Sequence, residues 1–308
     1  MTGRIPVTVI GGYLGAGKTT LVNHLLRHAG GLRLAVMVND FGAMAIDADL
    51  IEAQEEDLIS IAGGCICCSF GSDLIEAMAK LAERSPRPDH VLLETSGVAL
   101  PGPVAGTVSL LPDFDVDCVA VLADATRIRA LVADRYLADT MDRQLADAQI
   151  VLLTKTDCIG PSLADETLAW LSGRVPGARC LPVSNGAVDP AVLIGARLGY
   201  RATLSLSAPH QAAMLYHTES LPMVEPLDIA ALTTLLQGAD LGLLRAKGFV
   251  RNAVGQIYGV QVVGTVVRVE RHLAPRPVEP GLIAIGLRRS FDPALFRQAL
   301  AVTRVTGD

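Results

Sequence analysis

Short apolar runs rich in β-branched residues alternate with segments of helical periodicity over about the first 200 residues. The predicted strands are VTVIGG (7–12), LRLAVMVND (32–40), DLISIAG (57–63), HVLLETSG (90–97), DCVAVLADA (117–125), QIVLLTKTD (149–157) and ARCLPVS (178–184). One predicted helix follows the third strand, and its apolar face consists of Leu74, Ile75, Met78, Leu81 and Ala82. Strands that alternate with helices predict a doubly wound, mostly parallel α/β sheet for residues 1–200.

The hydrophobic pattern changes near residue 200. RATLSLSAPHQ (201–211) is polar and contains proline, a helix is predicted near 226–237, and IYGVQVVGTVVRVERH (257–272) alternates as long strands do. A closing helix is predicted in DPALFRQALAVT (292–303). We therefore predict a second, smaller α+β domain with an open sheet over residues 201–308.

Composition narrows the class of protein. Half of the 308 residues are hydrophobic and 19% are charged, which indicates a compact folded protein and excludes a disordered one. A net charge of −6 without a Lys/Arg stripe argues against nucleic acid or an anionic membrane surface as a partner. No uncharged apolar run reaches the roughly 18 residues that a membrane-spanning helix needs. We expect a cytoplasmic protein that acts on small molecules or ions.

The segment GYLGAGKT (12–19) follows the first predicted strand and matches the phosphate-binding pattern GxxxxGK[ST]. Its glycines allow backbone N–H groups to surround phosphates, and the next helix adds the positive end of its dipole. We expect Lys18 to reach the β- and γ-phosphates and the Thr19 hydroxyl to bind Mg²⁺. The residues predicted to contact the nucleotide here are Gly12, Gly15, Ala16, Gly17, Lys18, Thr19 and Thr20.

An acid, Glu94, stands at the end of the apolar strand HVLLE. Open α/β sheets bind ligands at the carboxyl ends of their strands, where an acid can hold Mg²⁺ through water or orient an attacking water. Lys18, Thr19 and Glu94 form the predicted catalytic set.

A second acid, Asp157, ends the tetrapeptide TKTD (154–157) after another apolar strand. Its carboxylate can accept hydrogen bonds from N1–H and the N2 amino group of guanine, a donor pair that adenine lacks. We therefore predict GTP as the nucleotide, with Lys155 and Ser184 beside its base.

Three of the six cysteines lie within four positions, in GGCICC (63–68). A disulfide between the neighbours Cys67 and Cys68 is strained, because consecutive Cα atoms lie about 3.8 Å apart and disulfides prefer about 4.4–6.8 Å. With Cys65 these thiols suit a soft or borderline cation such as zinc or Cu(I), or else a redox reaction. The cysteines alone leave these alternatives open.

These motifs together resemble the CobW-like metallochaperone GTPases, P-loop proteins related to HypB and UreG. The resemblance rests on GGYLGAGKTT (11–20), VNDFG (38–42), GGCICC, LLETSGVALP (92–101) and TKTD, and on RAKG (245–248), which is similar to a signature of the family's C-terminal domain. It implies a cytoplasmic GTPase that uses GTP and Mg²⁺, binds Zn²⁺, or else Co²⁺ or Ni²⁺, through its CxCC thiolates, and passes the metal to a client protein. It also implies a nucleotide- or metal-dependent homodimer as one oligomeric form.

The resemblance assigns roles by position. Cys65, Cys67 and Cys68 become metal ligands, Asp40 and Asp47 belong to the first switch, and Glu94 is the Walker B acid. Three thiolates leave one tetrahedral zinc position for Asp40, for water or for a client ligand, and such an incomplete shell suits transfer.

This chain departs from the family's pattern at three positions. Asp40 and Ala43 stand where glutamates are usual, and Thr154 stands where many GTPases carry asparagine, which weakens the expected base contact.

Two other functions fit some of the motifs. A P-loop kinase acting on a small metabolite, with the cysteines as a structural zinc site, predicts weak base selectivity. A redox-sensing NTPase predicts loss of function under peroxide.

The remaining cysteines and a histidine pair have structural interpretations. Cys118, Cys158 and Cys180 are predicted to pack in the core. His24 and His28 lie four apart without the glutamate of HExxH, which favours a packing or surface role over metal binding.

Overall fold

The computed structural model describes residues 3–39, 58–61, 70–195, 216–223, 225–238, 241–272 and 280–305. Its backbone contacts divide the chain into two units, Met1–Ile194 and Gly195–Asp308. The predicted boundary between residues 200 and 201 falls within 196–215, outside the described residues, and stays a prediction.

The N-terminal unit is built on a parallel sheet of seven strands among the described residues. They are β1 (Ile5–Gly12), β2 (Leu34–Asn39), β3 (Leu58–Ile61), β4 (His90–Glu94), β5 (Phe114–Asp124), β6 (Ile150–Thr154) and β7 (Arg179–Pro182), in the order β3-β2-β4-β1-β5-β6-β7. Every neighbouring pair is parallel, so the predicted α/β sheet is confirmed. β1 lies at the centre, between β4 and β5, where the direction of winding changes.

Helices of the same unit pack against this sheet. They are α1 (Lys18–Arg27), α2 (Phe70–Ala82), α3 (Pro101–Ser109), α4 (Ile128–Ala133), α5 (Ala138–Ala146), α6 (Pro161–Arg174) and α7 (Pro190–Ile194), with a 3₁₀ turn at Thr156–Cys158. One apolar cluster joins α2 and α3 to β1, β2, β4 and β5, and a second joins α4, α5 and α6 to β5 and β6. β4 and β6 are buried along their whole length, which explains why parallel strands have continuous apolar runs rather than alternating ones.

The predicted inner face of α2 is confirmed except at one residue. Leu74, Met78 and Leu81 are buried in the core, whereas Ile75 is 44% exposed. Ile75 follows Leu74 directly, and a step of one residue turns the side chain about 100° around the helix, away from the sheet.

The C-terminal unit has an antiparallel sheet with two helices among its described residues. The elements are β8 (Tyr216–Pro222), α8 (Ile229–Gly238), β9 (Leu243–Arg251), β10 (Ile257–Val263), β11 (Val266–Arg271), β12 (Gly281–Leu287) and α9 (Pro293–Val302), and the strand order is β11-β10-β9-β12-β8. An apolar cluster lies between the helices and the sheet. Asp228 and Asp292 accept hydrogen bonds from the first backbone N–H groups of α8 and α9 and so begin both helices.

The described helices include none that is both long enough and apolar enough to cross a membrane.

Gly248, the last residue of RAKG, lies where three strands meet closely. It pairs with Val260 on β10 and with Leu282 on β12, and a Cβ atom there would collide with the backbone carbonyl of Gly281. The sheet therefore requires glycine at this position.

We expect Gly248→Ala to lower the unfolding temperature of the C-terminal unit by several degrees, because overpacking costs about 1–3 kcal/mol or more. Differential scanning calorimetry measures this. Gly259→Ala on β10 is the matched control, since the nearest atom to its added Cβ is 3.8 Å away. Equal midpoints for the two variants would contradict the steric account.

Candidate nucleotide site

The loop after β1 depends on glycines in left-handed backbone. Gly12, Gly15 and Gly17 have φ values of 136°, 75° and 97°. A Cβ atom on Gly12 would lie 2.7 Å from the carbonyl oxygen of Leu122 on β5, so the loop leaves the sheet in contact with its neighbour strand. Gly17 is the N-cap of α1, and the loop therefore faces the amides and positive dipole end of that helix.

Lys18 curls back over this loop. Its side chain is 8% exposed, and Nζ donates a hydrogen bond of 3.1 Å to the carbonyl oxygen of Gly12. Thr19 is half-buried and Thr20 exposed in the same first turn of α1. The predicted phosphate ligands therefore follow one another along the loop after β1 and the first turn of α1.

Glu94 lies on the strand next to β1. Its register partner is Ile10, two residues before Gly12, and the acid is 2% exposed. The following residue, Thr95, donates its backbone N–H to the carbonyl of Ile10 at 2.9 Å. Glu94 and the phosphate loop therefore lie next to each other at the carboxyl end of the sheet.

Thr154 joins the TKTD turn to the phosphate loop. Its hydroxyl donates to the carbonyl oxygen of Ala16 at 2.8 Å and is 3.3 Å from that of Ala123. In the sequence Thr154 stands out only as a departure from asparagine, and this contact was not predicted. A buried hydroxyl at the end of an apolar strand was the available signal, because buried polar groups need partners.

Asp124, at the end of β5, is a site residue that the sequence analysis did not identify. Its carboxylate accepts from Lys155 Nζ at 2.7 Å and from the backbone N–H and hydroxyl of Thr126 at 2.9 and 2.6 Å. Burial raises the pKa of this carboxyl, but the hydrogen bonds from Lys155 and Thr126 outweigh that effect and hold the pKa below its usual value. The anion fixes Lys155, whose backbone is itself left-handed at φ 57°.

Asp157 lies in the exposed 3₁₀ turn after β6. The Cys158 thiol lies 3.6 Å from its carboxylate, and desolvation and the neighbouring Asp157 charge raise the pKa of that thiol. Cys158 is exposed, so the prediction that it packs in the core is wrong. The turn after β6 places Cys158 beyond the end of the strand. Cys118 on β5 is buried as predicted, and Cys180 on β7 is half-buried.

The loop after β7 lies beside the residues predicted to contact the base. The hydroxyls of Ser184 and Thr156 lie 2.9 Å apart, so Ser184 is next to the TKTD turn. Gly186, at φ 70°, packs against Thr20 of α1, with a hypothetical Cβ 3.1 Å from Thr20 Cγ2. This loop thus contacts both the TKTD turn and the first turn of α1.

The histidine pair on α1 is structural, as predicted. His24 is 6% exposed, and its Nε2 lies 2.9 Å from the carbonyl oxygen of Val188, while His28 Nδ1 lies 2.7 Å from the carbonyl of His24. Burial lowers the pKa of His24, and the neighbouring His28 and Arg27 act in the same direction.

The predicted metal ligands Asp40, Cys65, Cys67 and Cys68, with Asp47 and Ala43 of the first switch, lie outside the described residues. Within the described ranges there is no group of three or more His, Cys, Asp or Glu side chains that could hold a metal ion.

We expect Asp124→Asn to lower the free energy of unfolding at pH 7 by about 1–3 kcal/mol, because it removes the charge that pairs with Lys155. The folded-state pKa of Asp124 is lowered, so this contribution is complete above its ordinary pKa of about 4. It is lost as the pH falls towards the folded value. Urea unfolding followed by fluorescence of Trp170, the single tryptophan, should show the difference between variant and wild type shrinking below about pH 4.

Asp113→Asn is the control, because its ion pair with Arg87 is made by a carboxylate that is 55% exposed. A pH-independent loss in Asp124→Asn, or an equal one in the control, would contradict the electrostatic account.

Comparison with known proteins agrees with the two units. The family described as “CobW/HypB/UreG, nucleotide-binding domain” matches residues 6–180, and “Cobalamin synthesis protein cobW C-terminal domain” matches residues 219–304.

Three relatives illustrate the similarity. A zinc chaperone CobW from Sinorhizobium sp is 34% identical over 291 residues, covering 80% of this chain and 81% of that protein. The zinc chaperone YjiA of Escherichia coli K12 is 32% identical over 264 residues, covering 79% and 81%. A zinc-regulated GTPase metalloprotein activator 1 from Dictyostelium discoideum is 30% identical over 227 residues, covering 60% of this chain and 47% of that protein. The chain belongs to the CobW/HypB/UreG family and combines its nucleotide-binding domain with a CobW C-terminal domain.

Proposed function

We propose that the chain is a GTP-hydrolysing metallochaperone that binds a divalent metal, zinc in the first place, at Cys65, Cys67 and Cys68 and passes it to a client protein. The observation that carries the nucleotide half of the proposal is the hydrogen bond of 2.8 Å from Thr154 to Ala16, which joins the phosphate loop to the turn bearing Asp157. A phosphate cradle and an acid suited to guanine then belong to one site.

Guanine recognition is assigned to Asp157. Its carboxylate is exposed and, among the described residues, accepts a long contact from the Cys158 thiol, which two N–H donors of a purine can replace. Lys155 is held by Asp124, and Ser184 lies beside the same turn through Thr156. Hydrogen bonds within the protein therefore hold the residues assigned to the base in place without a nucleotide.

Phosphate binding is assigned to the loop from Gly12 to Thr19. Lys18 gives up its contact with the Gly12 carbonyl for the β- and γ-phosphates, and the amides at the start of α1 bind their oxygens. The Thr19 hydroxyl and the Glu94 carboxylate are hard oxygen donors of the kind that Mg²⁺ prefers, so these residues fit the ion and would hold it. When bound, Mg²⁺ would neutralise charge on the phosphates; orienting the attacking water is the alternative role of Glu94.

Metal binding is assigned to the CxCC thiolates. The relatives from Sinorhizobium and Escherichia coli are named zinc chaperones, which supports zinc as the cargo. Three thiolates leave a fourth position for Asp40, water or a ligand of the client, and such an open site can release its ion by ligand exchange.

Coupling between the two sites follows from the chain path in this proposal. β2 and β3 are parallel to β4 and β1, so they end at the sheet edge from which the phosphate loop leaves. From those ends the chain continues into Asp40 and into the cysteine segment. Nucleotide can then change metal affinity, provided that the GTP and GDP forms bind metal differently. The cytoplasmic location and a nucleotide-dependent homodimer stay predictions.

The first test concerns the base. We expect Asp157→Asn to reduce kcat/KM for GTP by about 100-fold or more and to raise that for XTP, because the asparagine amide can donate to the 2-oxo group of xanthine. Steady-state hydrolysis of GTP, XTP and ATP measures the change. Asp139→Asn, an exposed helix residue paired with Arg143, is the charge-matched control and should retain the wild-type preference. Equal use of GTP and ATP by the wild type would instead favour the small-metabolite kinase.

The second test concerns coupling. We expect zinc to bind about 100-fold tighter with a non-hydrolysable GTP analogue than with GDP, a difference of about 2.7 kcal/mol. Competition with a chromophoric chelator measures both affinities. Lys18→Ala should abolish GTP turnover and the effect of nucleotide on zinc affinity while keeping zinc binding. The triple variant Cys65→Ser, Cys67→Ser and Cys68→Ser should abolish zinc binding. Equal zinc affinities with the two nucleotides would refute the coupling.

A further inference from the structure

The backbone after Glu94 presses against the phosphate loop. A Cβ atom on Gly97 would lie 2.6 Å from Leu14 Cδ2 and 2.8 Å from the Leu14 backbone nitrogen. Both Leu14 and Val98, the next residue, are largely exposed, at 57% and 44%. The segment 95–100, termed here the acid loop, therefore forms the wall of the site beside the phosphate cradle.

A buried glutamine on α5 holds the middle of the acid loop. Gln144 is 1% exposed, and its Nε2 lies 3.1 Å from the carbonyl oxygen of Gly97 and 2.7 Å from that of Ala99. A side-chain amide has two N–H donors, so both are directed at one loop. Fixing these two carbonyls fixes the planes of the Gly97–Val98 and Ala99–Leu100 peptides.

The two ends of the acid loop are held separately. The backbone N–H of Thr95 donates to Ile10 at 2.9 Å, and beyond the other end Gly102 donates to Asp147 Oδ2 at 2.7 Å. Gly102 has no room for a side chain, because a Cβ atom would collide with the Asp147 carboxyl. Among the described residues, Gln144 is thus the side chain that restrains the stretch between these anchors.

We propose that Gln144 is a positioning residue for GTP hydrolysis, which sets the acid loop against the phosphate cradle and links its movement to α5. The inference rests on the proposed GTPase function and deepens it. A γ-phosphate that displaces Gly97 must stretch or break the bond between its carbonyl and Gln144, or else move α5 with the loop. Gln144 itself touches neither phosphate nor water in this role.

The experiment compares steady-state GTP hydrolysis and GDP affinity in Gln144→Leu and the wild type. Leucine has a similar volume but no donors, so kcat should fall by about tenfold or more, while the Kd for GDP changes by less than about threefold. Gln149→Leu is the matched control, because Gln149 also bonds to backbone, accepting from Val119 N–H at 2.9 Å at the start of β6. Its kcat should stay within about twofold of the wild type.

A second variant separates positioning from folding. In Gln144→Glu an ionised carboxylate has no donor and repels both carbonyls, whereas the protonated acid can donate one hydrogen bond. Burial and the nearby Asp147 charge favour protonation. The kcat of this variant relative to wild type should therefore rise at least about threefold from pH 8 to pH 6, while that of Gln144→Leu stays flat.

The possible results distinguish the two ideas. Wild-type protein that neither binds nor hydrolyses GTP overturns the proposed function, and this inference with it. Wild-type GTPase activity with unchanged kcat in Gln144→Leu and a flat pH ratio in Gln144→Glu overturns the inference alone. Because the pH ratio compares one folded variant with itself, a destabilised leucine variant does not obscure the result.

Discussion

Close packing of the phosphate-loop backbone against its neighbours is the constraint on which the site depends. Gly12 lies against the Leu122 carbonyl, Gly97 lies against Leu14, and the Thr154 hydroxyl reaches the Ala16 carbonyl. A Cβ atom on Gly12 would push β1 away from β5, and one on Gly97 would push the acid loop away from Leu14 of the phosphate loop. The neighbouring strand and loops therefore contact the phosphate loop at backbone distance. This close approach is what leaves the loop wide enough for phosphates.

The charged side chains around the loop limit the repulsion of a phosphate ligand. The carboxylates at the strand ends would repel a polyanion, but Asp124 is neutralised by Lys155 and its second oxygen is occupied by Thr126. Buried Lys18 and the start of α1 contribute positive potential inside the loop. The low pKa of Asp124 follows from the same contacts, so the ion pair both orders Lys155 and limits repulsion of the ligand.

The sequence predicted what depends on period and local pattern, and it missed what depends on distant partners. Seven parallel strands and the buried face of α2 follow from apolar runs and helical spacing. Ile75 is the exception, because not every apolar residue of the helix lies on its buried face. The contacts of Thr154 and Gln144 join residues 138 and 47 positions away, and no spacing rule encodes them. Cys158 was misplaced because the chain leaves β6 in a left-handed turn at Lys155, which exposes it.

The strand order divides the sheet into two functional halves with β1 between them. β5, β6 and β7 lead into the residues assigned to the base, whereas β4, β2 and β3 lead into the acid loop, Asp40 and the cysteine segment. GTP and GDP carry the same base, so in the proposed function the residues assigned to the base cannot distinguish them. In the proposed function only the terminal phosphate on the loop after β1 differs between them, and the acid loop packs against that loop at Gly97 and Leu14. A signal to the metal in the proposed function must therefore start where Gly97 touches Leu14, which is why the restraint on Gly97 by Gln144 has consequences beyond local stability.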